Sequence, residues 1–127
     1  MRYLVDTHIF VWWLSDDKKL KPSIRKILEN KENQITASVI NGIEISVKAR
    51  TKKIKLKTRI KTMFDISGFK VLDVTLSHVL ELDKLPVYRN HKDPFDRILI
   101  AQARVENLTL ITSDEKIWRY DLPLIKA

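Results

Sequence analysis

Short apolar segments alternate with helical segments along the chain, and this alternation constrains its fold more than any other feature. Buried strands are predicted where the segments are short and apolar, at residues 2–5, 34–37, 69–74, 108–111 and 122–125. Apolar periodicity and capping residues predict helices between them, at 22–30, 38–50, from 56 to the glycine at 68, from 76 to before the proline at 86, and at 94–106. Strands that alternate with helices favour an α/β fold with a mostly parallel sheet. We therefore predict one domain over residues 1–127, with a central sheet flanked by helices.

The composition excludes several kinds of site. The sequence contains no cysteine, which rules out disulfides, thiolate zinc sites and cysteine nucleophiles. Its longest uncharged stretch, residues 33–43, is much shorter than the roughly 18 residues that a membrane span needs. No apolar signal region precedes Asp6, the first acidic residue. We expect a cytoplasmic protein that does not bind membranes.

The positive charge is concentrated in one segment. The chain has 24 Lys and Arg residues, 16 Asp and Glu residues and a net charge of +8. Between Glu44 and Asp65 there is no acid but a run of basic residues, namely Lys48, Arg50, Lys52, Lys53, Lys55, Lys57, Arg59 and Lys61. Such a segment attracts a polyanion, and we predict that it binds RNA. The alternative is a lysine-rich helix face that is simply solvated.

Several carboxylates occupy positions that predict a shared site. Asp6 directly follows the first strand, and Asp114 follows the strand that ends at 111. Ligands of parallel sheets bind beyond the carboxyl ends of the strands, so these two side chains are expected at one crevice. Glu44 shares a helix face with apolar residues and therefore needs a cation or a metal as a partner. Asp93 and Asp96 begin the helix that follows a polar loop.

Each acid also has a purely structural interpretation. Asp6 and Asp93 can cap helices, and Asp96 can complement a helix dipole. Asp114 can cap a turn, while Glu44 can pair with the lysine one helical turn later. Taken together, however, clustered carboxylates repel one another unless a cation is present. Oxygen ligands without cysteine favour Mg²⁺ or Mn²⁺ over zinc, and such an ion beside a basic segment predicts cleavage of a nucleic-acid backbone.

Four sequence strings resemble the PIN domain family, and in particular its VapC-type toxin ribonucleases. They are VDTH at 5–8, SVINGIEI at 38–45, HKDPFDRILIAQA at 91–103 and TSD at 112–114. The resemblance implies a Mg²⁺- or Mn²⁺-dependent endoribonuclease, the toxin of a type II toxin–antitoxin system. Its catalytic and metal-binding acids would be Asp6, Glu44, Asp96 and Asp114. It also implies a homodimer, a cognate antitoxin partner, and transfer or ribosomal RNA as substrate.

Other residues are given supporting roles. The resemblance places Asp93 in a capping or supporting position. The Thr7 hydroxyl can orient a metal ligand, and Arg97 can offset the charge of the acids or contact phosphate. We interpret His8 and His91 as hydrogen-bonding residues rather than ligands.

Two further expectations concern packing and activity. Phe10, Trp12 and Trp13 are assigned to the core, with an apolar wall for a partner as the alternative. Gly42 and Ile43 depart from the family pattern, since an aromatic residue often stands at the second position. The alternative function is a PIN-like module that binds RNA or protein without catalysis. A phosphatase with an aspartyl nucleophile is disfavoured, because no second aspartate stands two residues after Asp6.

Overall fold

The computed structural model describes residues 1–51 and 53–127, and its strands form one parallel sheet. Their bounds are β1 Arg2–Val5, β2 Gln34–Ser38, β3 Lys70–Leu72, β4 Thr109–Thr112 and β5 Leu124–Lys126. The sheet order is β3-β2-β1-β4-β5, and every neighbouring pair is parallel. The predicted α/β fold with a central sheet is confirmed.

Helices flank this sheet. Their bounds are α1 Thr7–Ser15, α2 Pro22–Glu29, α3 Val39–Arg50, α4 Ile60–Ser67, α5 Leu76–Lys84 and α6 Pro94–Glu106. Helix α1 was not predicted, and α4 begins at Ile60 rather than at residue 56. Among the described residues, no helix has both the length and the apolar character needed to cross a bilayer.

Two apolar clusters cover the two faces of the sheet. On β1, Val5 packs into one cluster and Leu4 into the other, as the two-residue period of a strand requires. Phe10 of α1 is fully buried, and its ring centroid lies 5.0 Å from that of Phe64 on α4. The core position predicted for Phe10 is confirmed, whereas Trp12 and Trp13 are only partly buried.

Gly42 permits a close approach between two helices. A Cβ atom at this position of α3 would lie 3.0 Å from a ring carbon of Phe64 on α4. A side chain there would push the α4 ring outward. Glycine lowers helix propensity by about 1 kcal/mol relative to alanine. The close packing of α3 against α4 that Gly42 permits offsets part of this cost.

The order of the strands determines where a site can form. From β1 the chain first builds outward through β2 and β3, and it then returns to the other side of β1 with β4 and β5. A crevice opens where this direction reverses, beyond the carboxyl ends of β1 and β4. Asp6 directly follows β1, and its backbone N–H donates to the Ile111 carbonyl at 3.0 Å.

Candidate active site

The four predicted acids meet in one small cleft at this edge of the sheet. The cleft has a volume of about 50 Å³ and is lined by Asp6, Thr7, His8, Glu44, Lys48, Asp93, Asp96 and Asp114. It draws on the end of β1, on α3, on the start of α6 and on the loop after β4. Residues far apart in sequence thus converge as the strand order predicts.

Asp6 caps α1 and also faces the cleft. Its Oδ1 accepts a hydrogen bond from the Ile9 backbone N–H at 2.9 Å, and its Oδ2 accepts one from Ser113 N–H at 3.3 Å. Burial raises the pKa of this carboxyl, and hydrogen bonds from Thr112 and the backbone act in the opposite direction. The capping interpretation is correct, and the capping residue also lines the cleft with Asp114.

Glu44 is held by two polar side chains, one of which is held in turn by a third. The Thr7 hydroxyl donates to Glu44 Oε1 at 2.5 Å, and Asn41 Nδ2 donates to the Thr7 oxygen at 3.0 Å. Lys48 Nζ lies 2.5 Å from Glu44 Oε2. Thr7 therefore orients Glu44, and Asn41 is a positioning residue that the sequence analysis did not identify. The pairing of Glu44 with the lysine one turn later is also present.

Lys48 carries its charge into the cleft. Burial lowers its pKa, but the hydrogen bond and the charge of Glu44 outweigh burial, so the pKa of Lys48 is raised. The ammonium is therefore charged at every physiological pH. Lys48 is predicted from the sequence to belong to the RNA-binding segment, whereas in the structure it lies among the acids.

The carboxyl of Asp96 is destabilised in its charged form. Burial raises its pKa to about 8, with further contributions from the nearby charges of Asp93 and Asp114. Asp93 itself caps α6, because its Oδ1 accepts from the backbone N–H groups of Phe95 at 2.9 Å and Asp96 at 3.3 Å. A cation placed between Asp96 and Asp114 would relieve this repulsion.

A chain of hydrogen bonds fixes the orientation of Asp96. His91 Nε2 lies 2.9 Å from Asp96 Oδ2, and His91 Nδ1 lies 2.9 Å from the Tyr120 hydroxyl. Arg97 donates to the same hydroxyl at 3.3 Å and to the Pro86 carbonyl at 2.7 Å. Because burial lowers the pKa of His91, we assign a neutral ring that accepts from Tyr120 and donates to Asp96. Arg97 does not line the cleft and reaches Asp96 only through this chain.

The donor set suits a divalent cation. Ligand atoms of His91, Asp96 and Asp114 lie within 4.8 Å of one another, which is the spacing of groups around one ion. Carboxylate oxygens are the ligands that Mg²⁺ and Mn²⁺ prefer, and a bound cation would offset the burial and the like charges that raise the pKa of Asp96. His91 lies within reach of the same ion, although its Nε2 proton is directed at Asp96.

The remaining basic residues lie outside the cleft. Arg50 is exposed, and so are Lys53, Lys55, Lys57 and Arg59 between α3 and α4. Lys61 pairs with Asp65 on the surface of α4, where the Nζ–Oδ2 distance is 2.7 Å. Lys52 lies outside the described residues. Arg50 lies two residues after Lys48 at the end of α3, so the exposed charge follows the cleft residue Lys48 directly in sequence.

The sequence matches the PIN domain family over residues 3–122. The chain belongs to the PIN domain family. Family membership, expected from four short strings, is thereby confirmed over nearly the whole chain. Among curated proteins, none matches this PIN domain significantly in sequence.

Several solved structures share the fold of this PIN domain. A chain of VapBC2 from Rickettsia felis, bound to a promoter DNA fragment, is 22% identical with a TM-score of 0.70; the match covers 99% of this chain and 98% of that one. A chain of DNA-bound VapBC from Salmonella typhimurium is 16% identical, with a TM-score of 0.71 and the same coverage. A chain of a toxin–antitoxin complex from Klebsiella pneumoniae is 21% identical with a TM-score of 0.63, and the match covers 98% of this chain and 96% of that one.

Proposed function

We propose that this PIN domain is a Mg²⁺- or Mn²⁺-dependent endoribonuclease and the toxin of a type II toxin–antitoxin system. The observation that carries the proposal is the convergence of Asp6, Glu44, Asp96 and Asp114 in one cleft. Burial together with the charges of Asp93 and Asp114 raises the pKa of Asp96 to about 8. Groups whose charged form is strained in this way, in a cleft, are characteristic of functional sites.

Each side chain of the cleft is assigned a role in the proposed reaction. Asp96 and Asp114, with Asp6 at their side, would hold the ion, while Thr7 and Lys48 hold Glu44 in the same cleft. When bound, Mg²⁺ or Mn²⁺ lowers the pKa of a coordinated water and stabilises negative charge on a phosphoryl oxygen. His91 and Tyr120 hold the Asp96 carboxylate in place. The Lys48 ammonium adds a fixed positive charge at the same cleft.

The exposed basic segment is proposed to bind the RNA backbone. We expect Lys55→Gln/Lys57→Gln to weaken RNA binding and to reduce the slope of log K against log [salt] by about 1–2, as the loss of two phosphate contacts predicts. Lys26→Gln/Lys31→Gln is the matched control, because both lysines are exposed and lie near the amino end of β2, away from the cleft. Filter binding at several salt concentrations measures both quantities. Equal slopes for the two double variants would contradict this assignment.

The proposed partners have candidate surfaces. The similar folds in toxin–antitoxin and VapBC complexes support a cognate antitoxin as partner. An apolar groove of about 320 Å³ between α1 and α4, lined by Val11, Leu14 and Met63 among others, offers it a surface. Leu76, with 71% of its surface exposed, and Leu80 lie on α5 and suit a homodimer contact. We place the protein in the cytoplasm, where its RNA substrate is found.

The test is cleavage of a mixed transfer and ribosomal RNA pool by the purified protein. We expect discrete cuts with Mg²⁺ or Mn²⁺, loss of cutting with EDTA, and recovery when Mn²⁺ is added back. Salt-dependent RNA binding without cuts at any metal concentration would favour the non-catalytic RNA-binding module instead. Cutting that persists after metal removal would contradict the assigned chemistry.

A further inference from the structure

The cleft has two halves that differ in how their charge is balanced. In one half Lys48 Nζ lies 2.5 Å from Glu44 Oε2, with the side chains 25% and 4% exposed. The other half holds Asp96 and Asp114, whose nearest described neighbours include His91 but no lysine or arginine lining the cleft. Lys48 is thus the one lysine or arginine among the described lining residues. Among the described lining residues, the one ammonium contacts Glu44 and makes no hydrogen bond to Asp96.

The ammonium stands where a second ion would have to bind. Two-metal phosphodiester sites hold their ions about 3.5–4 Å apart, which requires carboxylate oxygens on both sides of the cleft. An ion that approached Glu44 Oε2 from the side of Lys48, to the Mg²⁺ ligand distance of about 2.1 Å, would overlap Lys48 Nζ, which lies 2.5 Å from the same oxygen. The other oxygen, Oε1, already accepts the short hydrogen bond from Thr7. A second ion that binds Glu44 from this side must therefore displace the lysine.

We propose that the Lys48 ammonium fills the second cation position of the cleft, so that the chain binds one divalent ion rather than two. This inference rests on the proposed metal-dependent function and adds the number of ions and the residue that sets it. The single ion lies with Asp96 and Asp114. Lys48 supplies the opposing charge from the protein itself, beside Glu44 in the same cleft.

A surface pair on the next helix provides a matched control. Lys61 and Asp65 have the same four-residue spacing and a 2.7 Å contact, but their side chains are 87% and 60% exposed. Removing Lys48 leaves a buried carboxylate without its cation, which is strongly unfavourable. Removing Lys61 leaves a carboxylate that water can solvate. Only the first change should create a demand for another ion.

The experiment counts Mn²⁺ ions bound per chain by equilibrium dialysis at fixed pH. We expect one ion for the wild type, for Lys61→Met and for Lys48→Arg, and two for Lys48→Met. The second ion should bind at least about tenfold more tightly than any second ion does in the wild type, the least that removing one contact charge predicts. Lys48→Met/Glu44→Gln, which leaves no unpaired charge, should return to one ion. If Lys48→Met unfolds, Lys48→Gln, which removes the charge but keeps a hydrogen-bond donor near Glu44, takes its place and should also bind two ions.

The outcomes separate this inference from the function on which it rests. One ion in both the wild type and folded Lys48→Met, with equal affinities, would overturn the role of Lys48 and leave the metal site standing. Two ions in the wild type would overturn it as well. No binding by the wild type would overturn the metal-dependent function itself. Loss of the single ion in Asp96→Asn, together with two ions in Lys48→Met, supports both.

Discussion

Replacing Asp96 with asparagine should lower the rate of RNA cleavage about a thousandfold or more, the scale of losing a metal-centred electrostatic interaction. Asparagine keeps the size of the side chain and can still accept the hydrogen bond from His91. It removes the negative charge beside Asp114 that a divalent ion requires. Single-turnover cleavage at saturating Mn²⁺, with Mn²⁺ affinity measured in parallel, checks the result.

The control for this substitution is Asp65→Asn. Asp65 is an exposed carboxylate on α4 that pairs with Lys61. Exposed surface pairs of this kind contribute little to stability, so cleavage and metal affinity should stay near wild type. Undiminished cleavage by purified, folded Asp96→Asn would exclude Asp96 from the reaction.

The Asp96→Asn variant should also be more stable than the wild type when metal is removed. Folded Asp96 keeps its proton up to a pKa of about 8, whereas the unfolded side chain loses it near 3.8. Between these values the folded state binds more protons, so the free energy of unfolding falls as the pH rises. The asparagine side chain lacks this dependence, so the variant should gain on the order of 1–2 kcal/mol at pH 8 and little at pH 4. Urea unfolding in EDTA at both pH values measures it.

The order of elements was predictable because most of them carry a periodic pattern. Helix α1 was missed for a physical reason. Its residues after Thr7 are almost all apolar, and a helix that is apolar all round shows no polar face. The early start assigned to α4 has a different cause. Lys53 and Lys57, like Lys55 and Arg59, are spaced four residues apart, and like charges at this spacing disfavour a helix.

The acids of the site were predictable because strand ends and helix starts fix their positions. Asp6 and Asp114 follow neighbouring strands, so the parallel sheet alone brings them together. The contact of His91 with Tyr120 was not predictable, because the two residues are 29 positions apart and no local sequence pattern relates them. The spacing of Lys48 from Glu44 predicted their ion pair. It did not predict that the pair would lie partly buried in the cleft.

The second large effect is expected at His91, where two substitutions separate position from packing. His91→Gln keeps an N–H donor near the place of Nε2, whereas His91→Asn is too short to reach Asp96. Both lose the ring contact with Tyr120, whose centroid lies 5.4 Å away. We expect His91→Asn to lower Mn²⁺ affinity and cleavage roughly 10–100-fold, the usual effect of losing a residue that orients a metal ligand.

The glutamine variant decides between the two explanations. If His91 acts by donating to Asp96 Oδ2, His91→Gln should recover most of the metal affinity that His91→Asn loses, although both should melt at similarly lowered temperatures. If His91 only fills space next to Tyr120, both variants should fall together in metal affinity and in stability. If the imidazole is itself a ligand, the glutamine variant should lose metal as completely as the asparagine variant while Asp96 and Asp114 remain in place. Recovery in His91→Gln alone therefore identifies the histidine as the residue that positions Asp96.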